Sequence, residues 1–387
     1  MSGPAINRDY LIRTLVDLVR INSINPTLVP GGAGESEIAG YVAESLARMG
    51  LEVRTIEPEP GRPSIVGELR GERPGRSLML NAHYDTVGIE GMPEPFSAAI
   101  RDGRLYGRGA YDMKGSLAAL MAAAKALAES GAMVAGSLVV AAVADEEYGS
   151  LGTAAVIREL HTDAAIVTEP TALKVCLAHK GYLWIEVETA GRAAHGSRFQ
   201  DGIDANMRMG RFLVELDRLE RHLRMRPLHA LVGPPSLHAA MMSGGTGLST
   251  YAASCKLQIE RRTVPGETEA QAVREIQEIA DKLAADDPTF HATVRCFFAR
   301  EPFEVGPPAR IVQVVDRATE QVLGRNPAHF GDTPWMDAAL LAAAGTETVV
   351  IGPAGAGAHA VEEWVDIESV AQLAEILVRA AVEYCGS

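Results

Sequence analysis

Apolar residues recur at three- and four-residue intervals across residues 9–21 (DYLIRTLVDLVRI) and 36–49 (SEIAGYVAESLARM), which puts them on one face of a helix in each case. Shorter apolar stretches at 51–57, 64–69 and 77–85 have the length of strands. An alanine-rich stretch at 116–130 (SLAALMAAAKALAES) predicts a helix, and SLVVAAVA at 137–144 predicts a strand. From Leu138 to Ala144 nothing is polar, and the three valines favour a strand buried on both faces. AAIVTEP at 164–170 adds a further short strand. The alternation of strand, helix and strand predicts an α/β fold with a mostly parallel sheet flanked by helices.

Beyond about residue 176 the pattern changes. YLWIEVETAG (182–191) and SCKLQIERRTV (254–264) alternate apolar and polar positions as half-exposed antiparallel strands do, and TFHATVRCFF (289–298) is a third extended stretch. Helical spacing occupies 204–225 and 268–285 between them. This predicts a separate two-layer α+β unit. From about residue 302 the βα style resumes, with helices at 308–323 and 335–344 and a buried strand in TETVVIG before a glycine-rich loop. The chain therefore divides into an α/β domain of residues 1–176 plus 299–387 and an inserted α+β domain of residues 177–298.

Composition narrows the partners. A formal net charge of −14 over 387 residues disfavours nucleic acid and anionic membranes. No apolar run approaches the roughly 20 residues of a membrane span, and the N-terminal residues lack the apolar core of a secretion signal. Cys176, Cys255, Cys296 and Cys385 are scattered without C-x-x-C spacing and read as thiols of a reducing cytoplasm.

Candidate chemistry gathers where the parallel strands end. The run LVVAAVADEEYGS closes an apolar strand with Asp145, Glu146 and Glu147, three adjacent acids that repel one another unless cations, protons or water intervene. His83 and Asp85 follow another strand, two apart and so on one face. Asp112 sits in a glycine-rich turn before the alanine-rich helix, Glu169 ends AAIVTEP, and His359 lies in the glycine-rich loop after the last strand. Ligand crevices of open α/β sheets lie at these carboxyl ends. Two histidines and several carboxylates at one edge suit two divalent cations that share a bridging ligand. A phosphate-binding P-loop, or a G-x-G-x-x-G opening a helix after the first strand, is absent, which sets a nucleotide-binding reading aside.

The segments NAHYDTV, GRGAYDMKG, VADEEYGSLG, TEP, GRAAHGS, LQIERRTVPGE and GPAGAGAHAVEEWV, in this order, resemble the dinuclear-zinc aminoacylase and carboxypeptidase G family, which includes acetylornithine deacetylases and succinyl-diaminopimelate desuccinylases. The resemblance spans essentially the whole chain. It implies two zinc ions per chain, with cobalt or manganese as substitutes: His83 and Glu169 on one, Glu147 and His359 on the other, and Asp112 bridging. Asp85 would accept a hydrogen bond from the second ring nitrogen of His83 and so fix its tautomer. Glu146 would be the general base toward a metal-bridged hydroxide, and Asp145 would stay on the structural side. His195 in GRAAHGS would donate to the oxyanion from the inserted domain, reaching the partner subunit's site in a homodimer. Arg262 would bind the substrate carboxylate, whereas its neighbour Arg261 reads as an exposed arginine on the opposite face of the strand. Ser249 stands where relatives often carry Asn, a variant closer to the acetylornithine deacetylase branch. The peptide after the bridging aspartate, Asp112–Met113, would be cis. His179, His238 and Asp337 receive no role beyond lining a pocket.

The activity implied is hydrolysis of the amide bond of small N-acyl amino acids, most like acetylornithine deacetylases. Desuccinylases and carboxypeptidases or dipeptidases of the same family are the alternatives. A non-catalytic binding protein on this fold would have lost a ligand or the base, and all six residues are present.

Overall fold

The computed structural model describes residues 4–386, which form two units. The first comprises the chain up to Leu177, Val305–Phe330 and the chain from Met336 onward; the second is Ala178–Glu304 with Gly331–Trp335.

In the first unit, strands Ala135–Val143, Arg73–His83, Ala164–Val167 and Glu347–Val350 lie side by side and parallel. Ser64–Arg70 and then Glu52–Ile56 extend one side antiparallel, and Val175–His179 joins the other side antiparallel. The sheet is thus mostly parallel at its centre, as the βαβ order predicts. Glu52–Ile56 and Ser64–Arg70 are joined only by residues 57–63, too short a connection for a parallel crossover. The register aligns His83 with Val143, Asn81 with Val167 and Val167 with Val350, so these strands end at one edge.

Helix Gly115–Ser130 is buried on nearly every side, which its run of small alanines permits. It packs against Arg8–Arg20 and against Ile367–Cys385. That last helix, capped by the Asp366 side chain on the Ser369 N–H, is absent from the pattern read above, as is Leu151–Glu159. The helix expected at 335–344 shortens to Ala338–Ala343, because residues 331–335 belong to the second unit and the chain re-enters the first only at Met336. A small antiparallel sheet pairs Ala99–Arg101 with Arg104–Tyr106, Arg104–Tyr106 with Trp364–Asp366, and Trp364–Asp366 with Gly355–Ala356. No helix among the described residues is long and apolar enough to cross a membrane.

The second unit is an antiparallel sheet in the order Ser236–Gly244, Ser254–Thr263, Gly181–Ala190, His291–Arg300. Leu183, Ile185, Val187, Leu257 and Ile259 form its core with Met209, Phe212 and Leu216 of helix Ala205–Arg224 and Ile276 and Ile279 of helix Glu269–Asp286. A Thr268–Gln271 capping box starts the latter helix. The edge strand Ser236–Gly244 was not expected. From His238 to Gly244 it is exposed on both alternations, so no hydrophobic period marks it. Arg261 corrects its reading as an exposed arginine: it does lie on the opposite face from Arg262, but that face is the helix-covered core. Its side chain is fully buried there and pairs with Glu267 (2.9 Å) and Glu275 (3.2 Å).

Candidate metal centre

The parallel strand ends bring His83, Asp112, Glu146, Glu147, Glu169 and His359 together. His83 Nε2 lies 3.2 Å from Asp112 Oδ1, 3.7 Å from Glu169 Oε1 and 3.9 Å from Glu146 Oε2. His359 Nε2 lies 3.3 Å from the other Asp112 oxygen, Oδ2, and 3.0 Å from Glu147 Oε2. Asp112 thus turns one carboxylate oxygen to each histidine. Candidate ligand atoms of His83, Asp112 and Glu147, and of His83, Glu146 and Glu169, fall within 4.8 Å of one another. All are buried or nearly so except His359, which is half exposed.

Local backbone supports this arrangement. Gly109, at φ +77°, opens the turn that carries Asp112, and a Cβ there would meet Thr86 Cγ2 at 2.6 Å. Gly357, at φ +85°, plays the same part before His359, which itself has φ +61°. The Asp112–Met113 peptide is cis, as expected from the resemblance.

His83 Nδ1 lies 3.0 Å from the main-chain carbonyl of Asp85 and 3.5 Å from Asp85 Oδ1. The carbonyl is the nearer acceptor, and the Asp85 carboxylate stands beside it on the same ring nitrogen. A carbonyl only accepts, so Nδ1 carries a proton; Nε2, which donates to the Asp112 carboxylate here, is the nitrogen a cation would take once that second proton is lost. The Asp85 carboxylate has other partners as well. It accepts the main-chain N–H groups of Glu146 (3.1 Å) and Glu147 (3.2 Å) and the Asn25 amide (2.8 Å). Asp145 faces away from the histidines and accepts from Arg62 (2.6 Å) and Asn25 (3.0 Å), while Arg62 also forks onto the fully buried Glu35 at 2.8 Å through both Nε and Nη2. Of the three adjacent acids, then, Asp145 is neutralised by an arginine and Glu146 and Glu147 are not.

Burial pushes the Glu146 and Glu169 carboxyls well above their usual range, with Glu169 repelling Glu146 and Asp112 repelling Glu169. Burial also brings Glu147 up to about 7, with Asp112 adding to it. Burial opposes the charged form of Asp112, but hydrogen bonds from His359 and His83 outweigh it and hold the carboxyl well below its ordinary value. Hydrogen bonds with Asp112 and Glu147 raise His359 to about 10. Four carboxyl groups crowd two imidazoles, and three of the four are driven toward the protonated form unless a cation offsets their charge; nitrogen and oxygen donors so arranged fit divalent cations.

Of the other residues singled out, His179, His195, His238, Ser249 and Arg262 lie in the second unit and Asp337 in the first. His195 is exposed on the loop after Gly181–Ala190, with Nδ1 2.8 Å from Ser197 Oγ. Exposed Ser249 holds the same loop through its main-chain carbonyl, which accepts the Gly196 N–H at 2.7 Å. Arg262 lies over the Tyr182 ring at 5.0 Å, and its Nε donates to Glu260 at 2.7 Å. His238 is on the exposed edge strand, His179 is buried beside Phe303, and Asp337 is a buried acceptor for Thr153 Oγ1 at 2.5 Å. Sequence reasoning missed Asn25, Glu35, Arg62, Arg108 and Glu363. Asn25, Glu35 and Arg62 stand in stretches without a motif, and Arg108 and Glu363 stand inside GRGAYDMKG and GPAGAGAHAVEEWV, but each has a partner tens to hundreds of residues away that spacing does not name.

Comparison with known proteins places this geometry in a family. An acetylornithine deacetylase of Myxococcus xanthus is 29% identical over 96% of this chain and 97% of its own length. An N-formyl-4-amino-5-aminomethyl-2-methylpyrimidine deformylase of Bacillus subtilis (strain 168) is 26% identical over 96% and 94%. Among solved structures, a dinuclear metal-binding peptidase of the M20 family from Bacillus subtilis shares the fold at a TM-score of 0.76, with 15% identity and 98% of each chain covered. The family model for peptidases M20/M25/M40 matches residues 79–383, and the chain therefore belongs to that family of metal-dependent hydrolases.

Proposed function

We propose that the protein is a cytoplasmic, homodimeric, dinuclear-zinc amidohydrolase that deacylates N-acyl amino acids, most like acetylornithine deacetylases. The observation that carries this is Asp112, whose two carboxylate oxygens face His83 at 3.2 Å and His359 at 3.3 Å. In this reading His83 and Glu169 would hold one cation, Glu147 and His359 the other, and Asp112 would serve both. Zinc suits these donors, with cobalt or manganese as substitutes. Bound there, the cations would polarise the amide carbonyl and lower the pKa of water toward ~7.

Glu146 takes the proton of the attacking water and returns it to the leaving nitrogen. Its raised pKa in the metal-free protein marks a carboxylate placed to hold a proton. Asp85 fixes the peptide that carries Glu146 and Glu147. His195 donates to the oxyanion, and it does so in the site of a partner chain, with the inserted unit as lid and dimerisation domain. Arg262 receives the substrate carboxylate with its planar guanidinium, and Ser249 contacts the acyl group. The four free cysteines agree with a reducing cytoplasm.

The deformylase relative favours N-formyl compounds as a second reading, beside N-succinyl amino acids and dipeptides. The deciding experiment is a hydrolysis screen over N-acetyl, N-formyl, N-succinyl and dipeptide substrates, using metal-stripped protein reloaded with zinc, cobalt or manganese. Metal-dependent turnover with a preference for N-acetyl amino acids is expected. Binding of these compounds without turnover by the reloaded protein would point to a non-catalytic member of the fold.

A further inference from the structure

Glu363 lies four residues beyond His359 and is buried, and the reaction described above gives it no task. Its carboxylate accepts four hydrogen bonds. Oε1 takes the main-chain N–H groups of Tyr111 (2.9 Å) and Asp112 (3.0 Å); Oε2 takes Gly109 N–H (2.9 Å) and Arg108 Nη1 (2.7 Å). Its own carbonyl accepts the Gly107 N–H at 3.1 Å. Arg108 continues the tie, giving Nη2 to the carbonyl of Ala360, next to His359, and Nε to the carbonyl of Gly88, both at 2.9 Å. One carboxylate and one guanidinium therefore bolt the turn that carries Asp112 to the loop that carries His359.

The fold does not need this pair to bring the two segments together. The strands Arg104–Tyr106 and Trp364–Asp366 already pair, with Trp364 opposite Tyr106. A buried ion pair is a costly way to fill space, since apolar residues of the same volume serve stability as well or better. What an apolar residue cannot do is fix the direction of three consecutive-turn N–H groups, and these set where the Asp112 carboxylate points.

We propose that Glu363, with Arg108, is a positioning residue that holds Asp112 and His359 at the separation needed for the second cation. This rests on the two-cation reading above. The test is titration of the metal-stripped full-length protein with zinc against a chromophoric chelator, together with steady-state kinetics, for the parent, Glu363→Gln, Arg108→Lys and Asp112→Asn. In Glu363→Gln the amide would turn donors toward the turn's N–H groups. The tighter zinc affinity should stay within about threefold of the parent while the weaker one falls by roughly 10–100-fold. The value of kcat should fall with that second affinity, and KM should change less than about threefold. Arg108→Lys keeps the charge but loses the fork, and should weaken the same affinity by about tenfold. It also decides the matter if Glu363→Gln fails to fold.

Unchanged second-site affinity in these two variants, with Asp112→Asn defective, overturns the inference and leaves the two-cation reading standing. An equal fall at both sites with a lowered Tm also overturns it, because that is general loosening. If Asp112→Asn leaves both affinities as in the parent, the two-cation reading fails and takes the inference with it.

Discussion

Glu146 and Glu147 are adjacent yet differently surrounded, and their substitutions should separate two roles. Glu147 is 3.0 Å from His359, whereas Glu146 is 3.9 Å from His83. Glu146→Gln removes a proton acceptor with little change of shape, so metal content should persist while kcat falls by at least ~10²–10⁴. Glu147→Gln should instead lower zinc content measured by elemental analysis. A near-normal kcat in Glu146→Gln would refute the assignment of the base. A pH dependence also belongs to these residues. In the metal-free chain Glu147 titrates at about 7 against an unfolded value of 4.5, and His359 at about 10 against 6.5. Both bind protons in the folded state over ranges where the unfolded chain has lost them. Stability of the metal-free protein therefore falls as pH rises, between 4.5 and about 7 through Glu147 and between 6.5 and about 10 through His359. A cation must displace the same protons, so zinc affinity should rise from about pH 6 to about pH 8 with proton release. Calorimetry in two buffers of different ionisation enthalpy would detect that release, and a pH-independent affinity would contradict it.

Arg261 and Arg262 show what an element decides. They are neighbours in Ser254–Thr263, and the alternation of a strand sends one into the core and the other to the open face. Arg261→Ala should cost about 3 kcal/mol in chemical denaturation, since it empties a fully buried position and leaves the partly buried Glu267 and Glu275 with Arg226 alone. Arg262→Ala removes a partly exposed pair with Glu260 and should cost less than about 1 kcal/mol, while raising KM for substrates that carry a free carboxylate. The alternating pattern predicts the opposition of the two side chains, but it does not say which face the helices cover. Elements with a clear period, such as Arg8–Arg20 and Glu269–Asp286, stand close to where the pattern puts them. The edge strand Ser236–Gly244 has no such period because only one neighbouring strand pairs with it and neither of its alternations is buried.

At the scale of the whole molecule the candidate ligands all lie in the first unit and His195 in the second. If His195 serves the site of a partner chain, mixing inactive His195→Ala protein with inactive Glu146→Gln protein should restore activity through heterodimers with one intact composite site. Activity that stays absent after subunit exchange has been verified by mass spectrometry would place His195 outside the partner's site.

Much of this was already legible in the order of residues. Period and length marked the parallel strands, because a buried strand must be apolar throughout. The acids and histidines at the ends of those strands marked the site, because the carboxyl edge of such a sheet is where loops can converge. Sequence alone therefore determined the α/β class and named the polar residues that the strand ends carry; the second unit, expected at 177–298, runs over Ala178–Glu304 with Gly331–Trp335. Only the tertiary structure decided that Asp145 turns from the histidines to Arg62, that the Asp85 carboxylate holds the Glu146–Glu147 peptide, and that Glu363 clasps the turn of Asp112. Each of these depends on a hydrogen bond between groups some 60 to 250 residues apart. A hydrogen bond acts only across about 3 Å, so its partners are chosen by packing, and a periodic pattern along the chain carries no record of which distant group will arrive there.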